Sequence, residues 1–329
     1  MMRTLCVQVE KWPLKQPFVI SRLAPMLHGE VVVVEIEQDG MIGRGECERA
    51  DVFELDYPSV TATIEQARLA IEKGATRQQL LTLMPPGYAR NAVDCALFDL
   101  EVKQAGTTAW QLAGLDRPPE PVTTVFTLSL DTPENMAAMA AEHCQRPLLK
   151  LKLGREGDLE RVAAVRAAAP DTRLIIDANT GWSLAQLQDY LPRLAELGVE
   201  MVEQPLSPDD DHQLAQIDPV IPLAADESCL DRSSLARLKG LYQVVNIKLD
   251  KTGGMTEALA LADEARAQGF EIMVGCMIGT SLAMAPALLL AQQARWVDID
   301  GPLLLAQDRE GGMRYQGSVV HPPAAALWG

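Results

Sequence analysis

Residues 148–153 read LLKLKL, and the runs LIIDAN at 174–179, MVEQP at 201–205, LAADES at 223–228 and VVNIKLD at 244–250 follow at similar intervals. Each run is a short apolar strand closing on a charged residue, and the segments between carry helical periodicity. That alternation is the pattern of parallel β/α units. Working outward, residues 123–129 precede the series, and 272–275 and 296–298 continue it, making eight strands between residues 121 and 301. Eight fit a closed (β/α) barrel. A doubly wound open sheet is the competing arrangement, but it needs a strand-order reversal and usually a glycine-rich phosphate turn. Gly253-Gly254 follows Lys251-Thr252 in the wrong order for such a turn, and Gly43-Arg44-Gly45 lacks a third glycine.

The first part of the chain reads differently, as α+β. VVVVEIE at 31–37 is a β-branched strand, Asp39-Gly40 a turn, and 42–47 its partner strand; helical periodicity then runs from about Ser59 to Gln104 and ends at Gly106. Arg117-Pro118-Pro119-Glu120-Pro121 reads as a linker.

Bulk properties narrow the function. The 329 residues suffice for a barrel and a smaller domain, and no stretch approaches the ~20 apolar residues of a membrane helix. The N-terminus enters alternating strand-like residues without a signal-peptide pattern, so the expectation is a cytoplasmic protein with no membrane partner. Six cysteines stand singly in apolar segments and read as reduced, mostly buried thiols. A net charge of -16 disfavours nucleic acid and gives an anionic ligand no long-range attraction, so a carboxylate must be captured by local cations. Association with copies of itself stays open.

The charged strand ends carry the chemistry. Asp177, Glu203 and Asp226 close the third, fourth and fifth barrel strands, at the face where barrel enzymes assemble their sites. One such acid is often only the N-cap of the next helix. Three on neighbouring strands converge, and a set of oxygen ligands without His or Cys suits Mg²⁺. Lys150 and Lys152, two apart on the second strand, point to one side, and Lys248 ends the sixth strand. Alone, each could be a solvated lysine. In a ring of eight, however, strands two and six face each other, so a carbon held at the metal has an amine on each side. Inversion through a planar intermediate needs that arrangement, with one amine removing a proton and the other returning one. A working lysine base also needs its pKa lowered, and a like-charged neighbour and a divalent cation both act in that direction. Mg²⁺ at the substrate carboxylate, assisted by Lys150, would stabilise the enediolate.

These residues, in this order and spacing, resemble the enolase superfamily and its muconate-lactonizing-enzyme subgroup over nearly the whole chain. The resemblance implies a modified TIM (β/α) barrel over 121–301 with an N-terminal α+β capping domain over 1–120, to which the tail from about 302 to 329 returns. It implies Mg²⁺ as cofactor, ligated by Asp177, Glu203 and Asp226, with Lys152 and Lys248 as the two bases and Lys150 as their helper. Asp298-Ile299-Asp300-Gly301-Pro302 resembles the Asp-x-Asp motif of dipeptide epimerases, which holds the ammonium of a dipeptide substrate. VNIKLDKTGG, EARAQGF and GCMIGTS resemble the branch of that family acting on alanyl-glutamate. Arg22, in FVISR, matches the arginine that meets the glutamate side chain, and Thr127, Cys276 and Met277 are implied to line the substrate pocket. The second cover loop, GECERADVFELDYPS, departs from that branch in carrying Glu48, Asp51, Glu54 and Asp56.

Other activities use the same lysines and metal: cycloisomerase, o-succinylbenzoate synthase and N-acylamino acid racemase. Asp298 and Asp300 oppose these, since an acylated or anionic substrate has no ammonium to bind. A non-catalytic protein that kept the fold is the remaining alternative, and the intact lysine and carboxylate set opposes it. Cys276 has no nearby histidine to activate it, Ser228 stands outside a nucleophile elbow, and the four histidines share no metal-ligand spacing and are expected at the surface.

Overall fold

The computed structural model describes residues 3–21, 23–52 and 58–329. An antiparallel sheet opens the chain, with β1 (Thr4–Phe18), β2 (Met26–Gln38) and β3 (Met41–Glu48) in that order. β2 and β3 meet through a two-residue turn in which Asp39 (φ 55) and Gly40 (φ 78) are both left-handed, as a tight hairpin requires. The long helical stretch expected up to Gln104 is instead three helices, α1 (Val60–Glu72), α2 (Arg77–Leu83) and α3 (Tyr88–Ala105), followed by a short α4 (Ala109–Leu112). Gly74, at φ 97, ends the first of them, and Pro85-Pro86-Gly87 separates the second from the third. Periodicity alone did not register these breaks.

α3 lies directly on β3. A Cβ at Gly43 would stand 2.1 Å from the carbonyl oxygen of Ala96, and one at Gly45 equally close to that of Ala92. The two glycines of Gly43-Arg44-Gly45 therefore let a helix backbone touch a sheet backbone.

After β4 (Val122–Thr123) come eight parallel strands: β5 (Phe126–Leu128), β6 (Leu148–Lys152), β7 (Arg173–Asp177), β8 (Val199–Glu203), β9 (Leu223–Ala225), β10 (Val244–Lys248), β11 (Glu271–Gly275) and β12 (Trp296–Val297). They are hydrogen-bonded side by side in sequence order. The backbone N–H of Val125 donates to Val297 O at 2.8 Å and brings the last strand against the start of the first. The expected barrel is present. Its crossovers run through α5 (Pro133–Glu142), α6 (Asp158–Ala168), α7 (Leu184–Glu196), α8 (Leu235–Leu238), α9 (Leu249–Thr252), α10 (Met255–Ala267) and α11 (Ser281–Ala291), except that a 3₁₀ segment at Pro208–Gln216 follows β8. α12 (Gly301–Leu304) succeeds β12.

One residue from each barrel strand or its leading edge joins a single buried cluster: Val125, Leu148, Ile175, Met201, Ala224, Val244, Met273 and Trp296. This is the apolar floor of the barrel. Beyond the barrel, β13 (Tyr315–Gln316) and β14 (Val319–Val320) form a small sheet with β4. Leu305 bridges to Leu14, and Trp328 stacks on Phe98 of α3 with ring centroids 5.4 Å apart. All six cysteines are free, but only Cys47, Cys95 and Cys229 are buried, so the expectation of mostly buried thiols holds for half of them. Cys6 faces out because it alternates with the buried Leu5 on β1. No described helix is long and apolar enough to cross a membrane, and none of the four histidines is buried.

Gly45→Ala is expected to lower unfolding stability by at least about 1–3 kcal/mol, because a helix backbone cannot yield as a flexible side chain would. A denaturant midpoint unchanged from the parent would remove the close-approach argument.

Candidate active site

Side chains on a β-strand alternate, so the residue two positions beyond a floor residue also faces the barrel interior. Those residues are Thr127, Lys150, Asp177, Glu203, Asp226, Asn246, Gly275 and Asp298, and every one is buried. The floor is apolar and the next layer is almost wholly polar. One step further out stand Lys152, Asn179, Lys248 and Asp300.

Asp177, Glu203 and Asp226 offer one oxygen each within 4.8 Å of one another. The three lysines are distributed over them. Lys152 donates to Asp177 Oδ2 at 2.6 Å and Lys248 to Asp226 Oδ2 at 2.7 Å, so the two flank the outer members of the triad from strands four apart in the ring. Lys150 lies 2.6 Å from Glu203 Oε2, in the middle, and donates to Asp298 Oδ2 at 2.7 Å. Its approach to Glu203 misses hydrogen-bond direction, and Oε2 is a buried oxygen that accepts no hydrogen bond. That orphaned oxygen, in a set of hard carboxylate donors, fits a small divalent cation.

The charges shift one another in opposite directions. Burial favours the neutral acid, but the ammoniums of Lys152 and Lys150 outweigh it and bring Asp177 down to about 2. Asp226 is held well below the usual carboxylate range in the same way, burial being outweighed by Lys248 and Lys251. For Glu203 burial wins, reinforced by Asp177, and raises it to about 8. The amines do not behave as expected from like-charge repulsion: burial would lower Lys150 and Lys248, yet Asp298 and Glu203 raise the first and Asp226 and Glu203 the second. For Lys150 and Lys248, attraction to the carboxylates exceeds the repulsion between amines.

On the far side, burial and the neighbouring Asp298 raise Asp300 to about 7, although its Oδ2 accepts from the backbone N–H of Thr127 at 2.7 Å. A cavity of about 320 Å³ opens over this layer, sized for a small ligand. Thr127, Cys276, Met277, Asp298 and Asp300 all line it, as do the three lysines. Phe18, Ile20 and Leu23 of the first cover segment and Glu48 of the second also reach it. Arg22, with Glu54 and Asp56 of the acid-rich loop, lies outside the described residues. Asp51 is described and pairs with Arg49 at 3.6 Å.

Four residues that the sequence reading did not single out belong to the site. Asn246 donates from Nδ2 to Glu203 Oε1 at 2.7 Å, and Lys251 donates to Asp226 Oδ1 at 2.5 Å. Glu46 of β3 accepts from the Thr280 N–H at 2.7 Å and pairs with Arg309 at 2.8 Å, tying the segment after β11 to the N-terminal sheet. Gln204 accepts from the N–H groups of Asp226 and Ser228 at 2.8 and 3.1 Å. Asn246 was findable, because it precedes Lys248 by two on the same strand. The others depend on partners that no local spacing indicates.

Residues 2–114 match the mandelate racemase / muconate lactonizing enzyme N-terminal domain, and 132–326 the enolase C-terminal domain-like family. The chain belongs to this enolase-superfamily group. Within it, the chain is 46% identical over 322 residues to the L-Ala-D/L-Glu epimerase of Escherichia coli K12, covering 97% of this chain and 100% of that one. It is 42% identical to an N-acetyl-D-glutamate racemase of a Pseudoalteromonas species, over 87% of this chain and 91% of the relative. Among solved structures, an enolase family member from Agrobacterium tumefaciens with homology to dipeptide epimerases, holding sodium and L-Ala-L-Glu, superposes with a TM-score of 0.95 at 47% identity, covering 99% and 100% of the two chains. A dipeptide epimerase from Enterococcus faecalis V583 with Mg and L-Leu-L-Tyr does so at 0.90 and 30% identity, covering 100% and 99%.

Gly275 leaves room for this layer: a Cβ there would stand 2.6 Å from Asn246 Oδ1 and 2.9 Å from Lys248 Cε. Gly275→Ala should displace Lys248 and cut kcat by about a hundredfold while the chain stays folded. Parental turnover by a folded variant would show that the position of Lys248 is not critical.

Proposed function

We propose that this chain is a dipeptide epimerase acting on L-Ala-L-Glu and its D-Glu epimer, inverting the α-carbon of the C-terminal residue by two-base proton transfer. The observation that carries this reading is the placement of Lys152 and Lys248 at opposite ends of one carboxylate triad, with Asp298 and Asp300 across the same cavity. One lysine takes the α-proton, leaving a planar enediolate, and the other delivers a proton to the opposite face. Lys150 steadies the charge that develops on the substrate carboxylate. Asp177, Glu203 and Asp226 would hold Mg²⁺, which when bound would supply Lewis-acid stabilisation of that carboxylate and offset the negative charge around Lys150 and Lys248.

Asp298 and Asp300 receive the substrate ammonium, and Thr127 holds Asp300 in place through its backbone N–H. Cys276 and Met277 supply the cavity wall, and Arg22 meets the glutamate side chain. Residues 1–120, with the tail 302–329, act as the cap of the barrel formed by 121–301. Glutamate is favoured because two different relatives, one acting on a dipeptide and one on an N-acetyl amino acid, are both named for it. The ammonium-binding aspartates select the dipeptide between them.

Two experiments test the reading. Exhaustive chelation should abolish epimerisation and Mg²⁺ restore it, and Lys152→Ala and Lys248→Ala should each stop net inversion, by about 10²-fold or more, while α-proton exchange of one epimer in D₂O survives. Epimerisation in both directions by Lys248→Ala would end the two-base assignment. Comparing kcat/KM for Ala-Glu, Ala-Gln, Ala-Lys and N-acetyl-Glu tests the substrate. Ala-Glu should lead, and Arg22→Met should cost ~1.5–3 kcal/mol of selectivity for Glu over Gln. A preference for N-acetyl-Glu would overturn the dipeptide assignment, and one for Ala-Lys the role of Arg22.

A further inference from the structure

The carboxylates of the triad share a pattern that the three lysines do not explain. Each has two oxygens, and in each the two are treated differently. The inner oxygens, Asp177 Oδ2, Glu203 Oε2 and Asp226 Oδ2, face Lys152, Lys150 and Lys248 at 2.6, 2.6 and 2.7 Å. The outer oxygens are each held by a different donor. Asp177 Oδ1 accepts from the backbone N–H of Asn179 at 2.9 Å, Glu203 Oε1 from Asn246 Nδ2 at 2.7 Å, and Asp226 Oδ1 from Lys251 Nζ at 2.5 Å.

We infer that Asn246 and Lys251 are positioning residues that commit the outer oxygens of Glu203 and Asp226, so that the triad offers a cation one oxygen per carboxylate and selects Mg²⁺ over Ca²⁺. The inference rests on the metal assignment made under the proposed function. Mg²⁺ demands near-octahedral geometry, whereas Ca²⁺ takes more ligands and readily accepts a carboxylate through both oxygens. The inner oxygens face lysines that a cation at the triad would displace, whereas an outer oxygen held by its own donor is kept from turning to make that second contact.

The donors to Asp177 and Asp226 are fixed from behind, and the donor to Glu203 is enclosed by burial. Asn179 sits at φ 43, a left-handed conformation that asparagine tolerates, which turns its N–H back to the carboxylate two residues earlier. The Asn246 side chain is fully buried, and Gly275 leaves space for it, since a Cβ there would stand 2.6 Å from its Oδ1. Its nitrogen faces Glu203, as it must once that carboxylate is ionised to hold a cation, since an ionised carboxylate only accepts. Lys251 Nζ is anchored by two carbonyl oxygens besides the carboxylate, Asp226 O at 2.6 Å and Asn246 O at 2.9 Å. Its three donors are thereby used.

Calorimetric titration of the chelator-stripped full chain with MgCl₂ and CaCl₂ tests this. The parent should bind Mg²⁺ the more tightly. In Lys251→Met and in Asn246→Leu the ratio Kd(Ca)/Kd(Mg) should fall by about tenfold, the scale on which the partners of metal ligands act. Removing the charge of Lys251 strengthens both dications alike and cancels in the ratio. Lys251→Arg, which keeps a cationic donor, should keep the parental ratio, and with Lys251→Met it decides the matter if Asn246→Leu does not fold. Affinities for Mg²⁺ and Ca²⁺ that move together in Lys251→Met would overturn the inference while leaving the metal site in place. A parent chain that binds neither ion would remove the metal assignment itself.

Discussion

The two-residue alternation of a β-strand, repeated around a closed ring, is the constraint on which this site depends. Once Val125, Leu148, Ile175, Met201, Ala224, Val244, Met273 and Trp296 seal the floor, the next inward positions follow without further choice. A shift of one residue in the strands that carry Lys150, Asp177, Glu203, Asp226 or Asp298 would turn a charged side chain toward the surrounding helices and an aliphatic one toward the cavity. Apolar burial, which is non-directional, thus enforces the direction of the charged groups.

Those charges are costly to bury, and the protein bears the cost by pairing them. Lys150 has carboxylates on both sides, and Lys152 and Lys248 each hold one end of the triad. Buried ion pairs seldom improve stability over a well-packed apolar core. Their presence here points to chemistry, because the carboxylates raise Lys150 and Lys248 and so favour their ammonium forms. The contrast between Asp177, brought down to about 2, and Glu203, raised to about 8, arises within one strand spacing. Asp177 has two ammoniums to offset its burial, whereas Glu203 has neighbouring acids that add to the effect.

The cavity is shaped by parts of the chain that meet only in space. The segment after β11 is held by Glu46 from the N-terminal sheet and by Arg309 from the tail, which also reaches Glu10 at 2.6 Å. The first cover segment is fastened to the barrel where Ser129 Oγ accepts from the Val19 N–H at 2.6 Å and donates to Val19 O at 3.3 Å. Sheet, barrel and tail therefore set the mouth jointly, and a change in any of them is felt at the substrate.

The sequence by itself determined the barrel, the β2–β3 hairpin and the core of the site, because each is a local matter. An apolar run and its terminal charge lie on the same strand, so Lys150, Lys152, Asp177, Glu203, Asp226 and Lys248 could be read from their own neighbours, whereas Asp298 and Asp300 were read through the resemblance to a family motif. The tertiary structure decided what depends on distant partners. The grip of Glu46 on Thr280 across 234 residues and the partition of the triad's oxygens among Asn179, Asn246, Lys251 and the three lysines belong to that group. The lysine charge states do too, since desolvation and Coulomb attraction are set by distances that the linear order of residues does not contain.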